Sequence, residues 1–194
     1  MLRGKNISLL PETVGDAPFL EEMFSPEVRG EYSNIWPETR QMFERRLKEK
    51  GEVDRNKEKG EVDRNKEGQF IIWSRDTEQR IGRVIYIWPF EIFDSLEPGW
   101  WIHPRFSGRG IATQAACILI NHLFDATPIQ RIQATVVVGN EASIRVTEKV
   151  GMKYEGMLRQ VVWLHGRYAD VNIYSILRDE WKDEQSYRRM CPEF

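Results

Sequence analysis

The stretch Trp101-Ile102-His103-Pro104-Arg105-Phe106-Ser107-Gly108-Arg109-Gly110-Ile111-Ala112-Thr113 constrains this chain more than any other. An apolar, strand-like run ends at Pro104, a loop with two glycines follows, and a helical segment starts at once. Free N–H groups at a helix N-terminus, with the helix dipole behind them, form an anion site. Glycine at 108 and 110 removes the Cβ atoms that would hold a phosphate off the backbone. Arg105 and Arg109 can add charge-assisted hydrogen bonds. A mononucleotide phosphate loop would need Gly-Lys-Ser/Thr, which does not occur here. A dinucleotide fingerprint would need a third glycine where Thr113 stands. The plainer alternative is a tight strand–helix turn with incidental glycines.

Around this loop the hydrophobic pattern predicts a mixed α/β domain whose helices cover one sheet. Strands are expected at Ile7–Leu10, Phe70–Trp73, Ile81–Trp88, Trp100–Ile102, Ile132–Val138, Tyr154–Leu164 and Tyr168–Leu177. The last two flank His165-Gly166-Arg167, which suggests a hairpin. Helices are expected from Asp16 to Phe24, from Pro37-Glu38 through Leu47, over Ile111–Phe124, and from Asn140 to Val150, where Gly151 stops the last.

One segment stands apart. Lys50 to Glu58 reads KGEVDRNKE, and Lys59 to Glu67 repeats it letter for letter. Each copy has one apolar residue, Val53 or Val62, too little to offset the entropy of ordering the rest. A local duplication that lengthens a solvated loop or helix end accounts for it, and a lid or specificity element is the sharper alternative. The 28 basic and 30 acidic side chains of the 194 residues nearly cancel. Such a balance draws in neither nucleic acid nor an anionic membrane. No apolar run approaches the ~20 residues that span a bilayer, and the N-terminal residues lack the apolar stretch of a signal peptide. Cys117 and Cys191 read as reduced thiols, so a cytoplasmic location is expected. His103, His122 and His165 are scattered, with no ligand spacing to a cysteine, so no metal is expected.

Arg105-x-x-Gly108-x-Gly110 followed by Ile-Ala-Thr resembles the coenzyme A pyrophosphate loop of the Gcn5-related N-acetyltransferases (GNAT). The resemblance is closest to the branch that includes the ribosomal-protein N-terminal acetyltransferases RimJ and RimL. Glu97-Pro98-Gly99-Trp100-Trp101-Ile102-His103-Pro104 is similar to that branch's Glu-x-Gly-Tyr-Trp-Leu-Asp-Pro strand. Asn140-Glu141-Ala142-Ser143 and Glu148-Lys149-Val150-Gly151-Met152 resemble its Asn-x-x-Ser and Glu-Lys-x-Gly-Phe segments. Glu155-Gly156-Met157-Leu158-Arg159, Gly166-Arg167-Tyr168-x-Asp170 and Glu180-Trp181 follow in the same order. The ordered set covers roughly Arg3 to Trp181, with the duplicated segment outside it.

The resemblance implies one acetyltransferase domain over 1–194 with a polar insertion at 50–67. Its fold would be a twisted, mostly antiparallel sheet with helices on both faces and a splayed central parallel pair. It further implies that acetyl-CoA is the cosubstrate and an amine the acceptor, either a protein N-terminus or a small molecule such as a polyamine or an antibiotic. The backbone at Trp101, Ile102 and His103 would meet the pantetheine. Ser107, Gly108, Arg109, Gly110, Ile111, Ala112 and Thr113 would hold the pyrophosphate. Asn140 is either the cap of its helix or a contact to a pantetheine amide, and the two roles are compatible.

An amine attacks a thioester only as the neutral base, and the departing thiolate must be stabilised. No triad spacing is present, which makes direct transfer in a ternary complex more economical than a covalent enzyme intermediate. Glu97 is the first choice of general base, through water or directly, against an exposed strand-end carboxylate. Pro98 would remove a ladder donor beside it. Ser143 is the candidate donor to the sulfur, against an ordinary first-turn serine. Trp36 and Trp88, with Glu91, Asp94 and Glu97, would rim the acceptor cleft of a cationic substrate, although solvated surface acids explain the same residues. A non-catalytic acyl-CoA-binding module is the alternative from another class. Monomer and homodimer are both compatible with the sequence.

Overall fold

β-Branched and aromatic runs set the sheet. The computed structural model describes residues 1–32, 40–55, 68–89 and 94–182. Its strands are β1 (Leu2–Arg3), β2 (Ile7–Pro11), β3 (Gly68–Ser74), β4 (Gln79–Ile87), β5 (Ser95–Ile102), β6 (Arg131–Val137), β7 (Lys153–Leu164) and β8 (Arg167–Leu177). Its helices are α1 (Ala17–Met23), α2 (Arg40–Arg55), α3 (Ile111–Ala126), α4 (Glu141–Lys149) and α5 (Arg178–Lys182). The strands form one eight-stranded sheet in the order β1-β2-β3-β4-β5-β6-β8-β7. Every neighbouring pair is antiparallel except β5 and β6, which run parallel.

Alternation along β3 and β5 shows what covers each face. Phe70, Ile72, Trp100 and Ile102 pack with the α3 residues Ala116, Leu119 and Leu123, with Val146 of α4 and with Val150 at its C-cap. Ile71 and Trp101, one position out of step, pack instead with Leu20, Phe24, Phe43 and Leu47 of the α1–α2 region. Successive strand side chains point to opposite faces. The helices therefore sandwich the sheet, α1 and α2 on one side, α3 and α4 on the other.

Local chemistry explains most boundaries. α3 begins after Gly110, whose φ of 73° is left-handed, a conformation glycine adopts without steric cost. The β7–β8 turn places His165 (φ 49°) and Gly166 (φ 80°) both in that region, the pattern of a type I′ hairpin. Asp16 sits at the N-cap position of α1 without a capping bond. Its carboxylate accepts from the Thr13 N–H at 2.7 Å and Oγ1–H at 2.8 Å, and pairs with Arg80 at 2.7 Å. α2 carries on into the first copy of the duplicated segment, ending at Arg55, while 56–67 lie outside the described residues. Cys117, buried in the main core, is disulfide-bonded, which corrects the expectation of a reduced thiol there.

Two ion pairs tie the sheet. Arg83 and Glu12 pair at 2.5 Å with side chains 4% and 2% exposed, and the guanidinium lies over the Phe24 ring at 5.5 Å. A buried pair like this adds little net stability, but removing one partner strands the other's charge. Arg83→Met is therefore expected to cost about 3–5 kcal/mol in denaturant unfolding, and the double change with Glu12→Leu to recover most of it. The second pair joins three strands: Arg131 of β6 donates to Glu155 of β7, which also accepts from Ser175 of β8. The Arg131 hydrogen bonds hold the Glu155 carboxyl down to about 2, below its ordinary 4.5. A depressed carboxylate stabilises the fold above its unfolded value and loses that effect as pH falls through the folded one. Glu155→Gln should therefore be less stable than the parent at pH 7, by no more than about 1 kcal/mol for so exposed a pair. The difference should close as pH drops from 4.5 towards about 2; a difference constant with pH would contradict it.

Candidate active site

β5 and β6 are paired at only two rungs, Ser95↔Arg131 and Leu96↔Ile132. Beyond these they part, although β5 continues to Ile102 and β6 to Val137. The ladder on each side shows which groups face the opening. The His103 N–H donates to the Ile81 carbonyl of the β4 side at 3.0 Å, in register with the β4–β5 pairing. Backbone groups alternate sides along a strand. Trp101, Gly99 and Glu97 thus bond towards β4, whereas Ile102, Trp100 and Pro98 turn towards the gap. On the far side the Val138 N–H donates to the Asp170 carbonyl of β8 at 3.0 Å, so Val137 and Thr135 turn their groups into the same gap. Pro98 therefore removes no bond to β4, which corrects the expected loss of a ladder donor. Its missing N–H falls where there is no rung to make.

Glu97 reaches across this opening. Its Oε1 accepts from the Thr135 N–H at 3.2 Å, and its second oxygen makes no bond among the described residues.

At the outer end of β5 the chain passes through His103, a short 3₁₀ turn at Pro104–Phe106 and an extended Ser107. Gly108 (φ 78°) and Gly110 (φ 73°) are both left-handed, and a Cβ built on either meets nothing within 4 Å. The first bond inside α3 runs from the Gln114 N–H to the Gly110 carbonyl at 3.0 Å. The amides of Ile111, Ala112 and Thr113 thus precede any intrahelical partner, and Gly110 has no side chain to cap them. Loop and helix start border a cleft of about 510 Å³. Of the residues expected to hold a coenzyme, Trp101, Ile102, Ser107, Gly108, Gly110, Ile111, Ala112, Thr113 and Asn140 all line it.

His103 and Arg109 do not. The His103 ring is buried beneath the loop, where its Nδ1 accepts from the Arg105 N–H at 3.3 Å and its Nε2 lies 3.4 Å from Glu22. Arg109 lies over the Phe106 ring at 6.0 Å and borders a separate hollow beside Asp76.

A second cleft, of about 380 Å³, is lined by residues of both parted strands, Glu97 of β5 and Thr135 and Val137 of β6 among them. Tyr32, Trp100, Trp101, Asn140 and Ser143 line both clefts. Asn140 caps α4, its Oδ1 accepting from the Ser143 N–H at 3.1 Å. The amide NH₂ of Asn140 stays available to donate. Ser143 Oγ accepts from the Trp100 indole N–H at 3.2 Å. Trp88 packs against the main core with its indole nitrogen buried, and lines neither cleft. Asp94 is exposed, and Trp36 and Glu91 lie outside the described residues.

Among the wall residues that the sequence did not single out as site residues, four carry groups of chemical interest. Arg145 and Lys149 of α4 face the α3 N-terminus across the first cleft. Their i, i+4 spacing was visible, but a basic pair on a helix usually marks a solvated face. Tyr32 carried no local signal, and Trp100, although part of a predicted strand and of the Glu97–Pro104 segment, had nothing local to mark its side chain as a site group. Burial first, and then the neighbouring Glu31, push the Tyr32 hydroxyl above its ordinary range, so it stays protonated at neutral pH.

Comparisons with known proteins show the family and the fold. The model of the acetyltransferase (GNAT) domain matches residues 6–153. The candidate ribosomal N-acetyltransferase YdaF of Bacillus subtilis is 37% identical over 89 residues, 46% of this chain and 49% of that protein. The ribosomal-protein-serine acetyltransferase of Escherichia coli is 32% identical over 94 residues, 45% of this chain and 52% of that one. The chain thus spans about half the length of these curated relatives. Among solved structures, the spermidine N-acetyltransferase of Vibrio cholerae in complex with CoA and spermine superimposes with a TM-score of 0.74. That match has 22% identity and covers 92% of this chain and 99% of the other. With a mostly antiparallel sheet, one parallel pair that parts, and a family model that matches most of its length, this chain belongs to the GNAT acetyltransferase family.

Proposed function

We propose that this chain transfers an acetyl group from acetyl-CoA to a primary amine by direct attack in a ternary complex. The observation that carries the reading is the junction of the two clefts at Trp100, Trp101, Asn140 and Ser143. One cleft has amides and cations for phosphates, the other a carboxylate for an amine, and they meet where two strands part.

The residues fit the coenzyme. Positive φ at Gly108 and Gly110 with open space over both leaves the loop amides approachable. Arg145 and Lys149 add charge from the opposite wall. The gap-facing groups of Trp100 and Ile102 offer an extended amide chain the rungs that β6 does not make. When bound, acetyl-CoA supplies an activated acyl carbon on a thiol leaving group. Glu97, through its free oxygen or one water, takes the proton the amine must lose. Ser143 donates its O–H to the sulfur as negative charge develops there, and Asn140 holds the serine backbone in place.

The acceptor cleft supports a choice among amines. Besides Glu97 its described walls include Ile85, Ile87, Val137, Val162 and Val171. A polyamine would leave further ammonium groups against aliphatic walls, at a cost in desolvation. An amine with one cationic head and an apolar body, as at a protein N-terminus, fits better.

Titrating acetyl-CoA and then following thiol release with N-terminal peptides, polyamines and aminoglycosides tests this. Glu97→Gln should lower kcat by about 100-fold or more with little change in acetyl-CoA affinity. Tight binding with no turnover on any amine would reduce the chain to a binding module. Gly108→Val should weaken coenzyme binding by at least about 100-fold, because a β-branched residue does not adopt φ near 78°. Unchanged affinity would remove the pyrophosphate from this loop.

A further inference from the structure

Ser143 stands in the first turn of α4, where a serine hydroxyl commonly folds back onto the carbonyl three or four residues earlier. Thr147 of the same helix does this, its Oγ1–H donating to the Ile144 carbonyl at 2.7 Å. Ser143 Oγ makes no such bond among the described residues, and both carbonyls within its reach take a backbone N–H. The Asn140 carbonyl accepts from the Ile144 N–H at 3.0 Å, and the Gly139 carbonyl from the Glu141 N–H at 2.9 Å. Ser143 Oγ instead accepts the Trp100 indole N–H at 3.2 Å, a contact between residues 43 apart in sequence. An indole nitrogen only donates, whereas a hydroxyl both donates and accepts. The bond therefore has a single sense, and the serine proton must point away from the tryptophan. No acceptor for that proton is found among the described residues, and Ser143 borders both clefts.

The tryptophan is fixed well enough to impose this. Its backbone belongs to β5, paired with Val84 of β4, and its ring packs against the main core.

We propose that Trp100 is a positioning residue: its indole N–H occupies the acceptor side of Ser143 and so aims the serine O–H at the sulfur of the coenzyme. This rests on the reading of Ser143 given above. The role belongs to the N–H alone, and the ring's packing is a separate contribution.

The test needs no acceptor, because coenzyme A itself is the probe. The thiolate absorbance of bound coenzyme A, titrated against pH, reports how well the site stabilises the sulfur anion. Ser143→Ala and Trp100→Phe should each raise the apparent pKa of the bound thiol by about one unit, a tenfold change in the ionisation equilibrium. The double variant should show no further rise, while coenzyme affinity stays within a few-fold. In the coenzyme-free protein, the Trp100 indole N–H resonance, assigned through Trp100→Phe, should move upfield and exchange faster in Ser143→Ala. If Trp100→Phe perturbs the fold, replacing Trp100 with benzothienylalanine keeps the bicyclic shape and removes the N–H, and should give the same shift. A rise for Ser143→Ala with none for the Trp100 variants, or two shifts that add, overturns the positioning role and leaves the serine's role standing. No change for Ser143→Ala overturns both.

Discussion

The parting of β5 from β6 after two rungs is the constraint on which the rest of the site depends. An unpaired strand edge inside a sheet is costly, because buried backbone donors and acceptors need partners. The protein meets part of that need itself: the Glu97 carboxylate takes the Thr135 N–H. Pro98 brings no donor to the gap at all. What remains, at Trp100 and Ile102 on one side and Val137 on the other, is a pair of edges spaced for something extended and rich in amides. At the closed end, the Arg131–Glu155–Ser175 cluster ties β6, β7 and β8 together. At the open end, the Trp100–Ser143 bond links β5 to α4.

Charge is graded along this opening. The α3 amides, Arg145 and Lys149 favour an anion at one end, and Glu97 favours a cation at the other. Between them the shared walls are the aromatic rings of Tyr32, Trp100 and Trp101 and the polar groups of Asn140 and Ser143. Such an axis suits two reactants lying end to end, one carrying phosphates and one an ammonium. Near-neutral overall charge is no obstacle, since the local arrangement and not the sum sets the potential a ligand meets.

Local rules made most elements readable in the sequence and hid the feature that matters most. The β-branched run at Ile132–Val138 reads as a buried strand and is one, at Arg131–Val137. α3 starts at Ile111, where the two glycines place it. The local pattern predicts β5 only from Trp100, because Glu97-Pro98-Gly99 looks like punctuation. It begins at Ser95, and proline is tolerated because its missing donor points into the gap. That gap is a matter of pairing between distant strands, and no window of sequence encodes it. The same holds for the bond between Trp100 and Ser143. Trp88 and Trp100 look equally promising as aromatic residues on strands, and both pack against the main core, yet the tertiary fold sets only Trp100 at the meeting point of the two clefts.

A strand that loses one neighbour must be held by its other contacts, and the adjacent tryptophans of β5 supply them from opposite faces. Trp100 packs towards α3 and α4. Trp101 packs towards α1, edge-on to Phe24 with centroids 5.7 Å apart. The Phe24 ring is in turn covered by Arg83, itself fixed by the buried Glu12 on the far side of β4. The charge pair thus acts on the site at one remove, by making the wall behind Trp101 rigid. Residues held in this way keep their geometry when a ligand enters, and preorganised donors avoid reorganisation during reaction. The stiffness of β5 is what lets the sheet keep an opening at its centre.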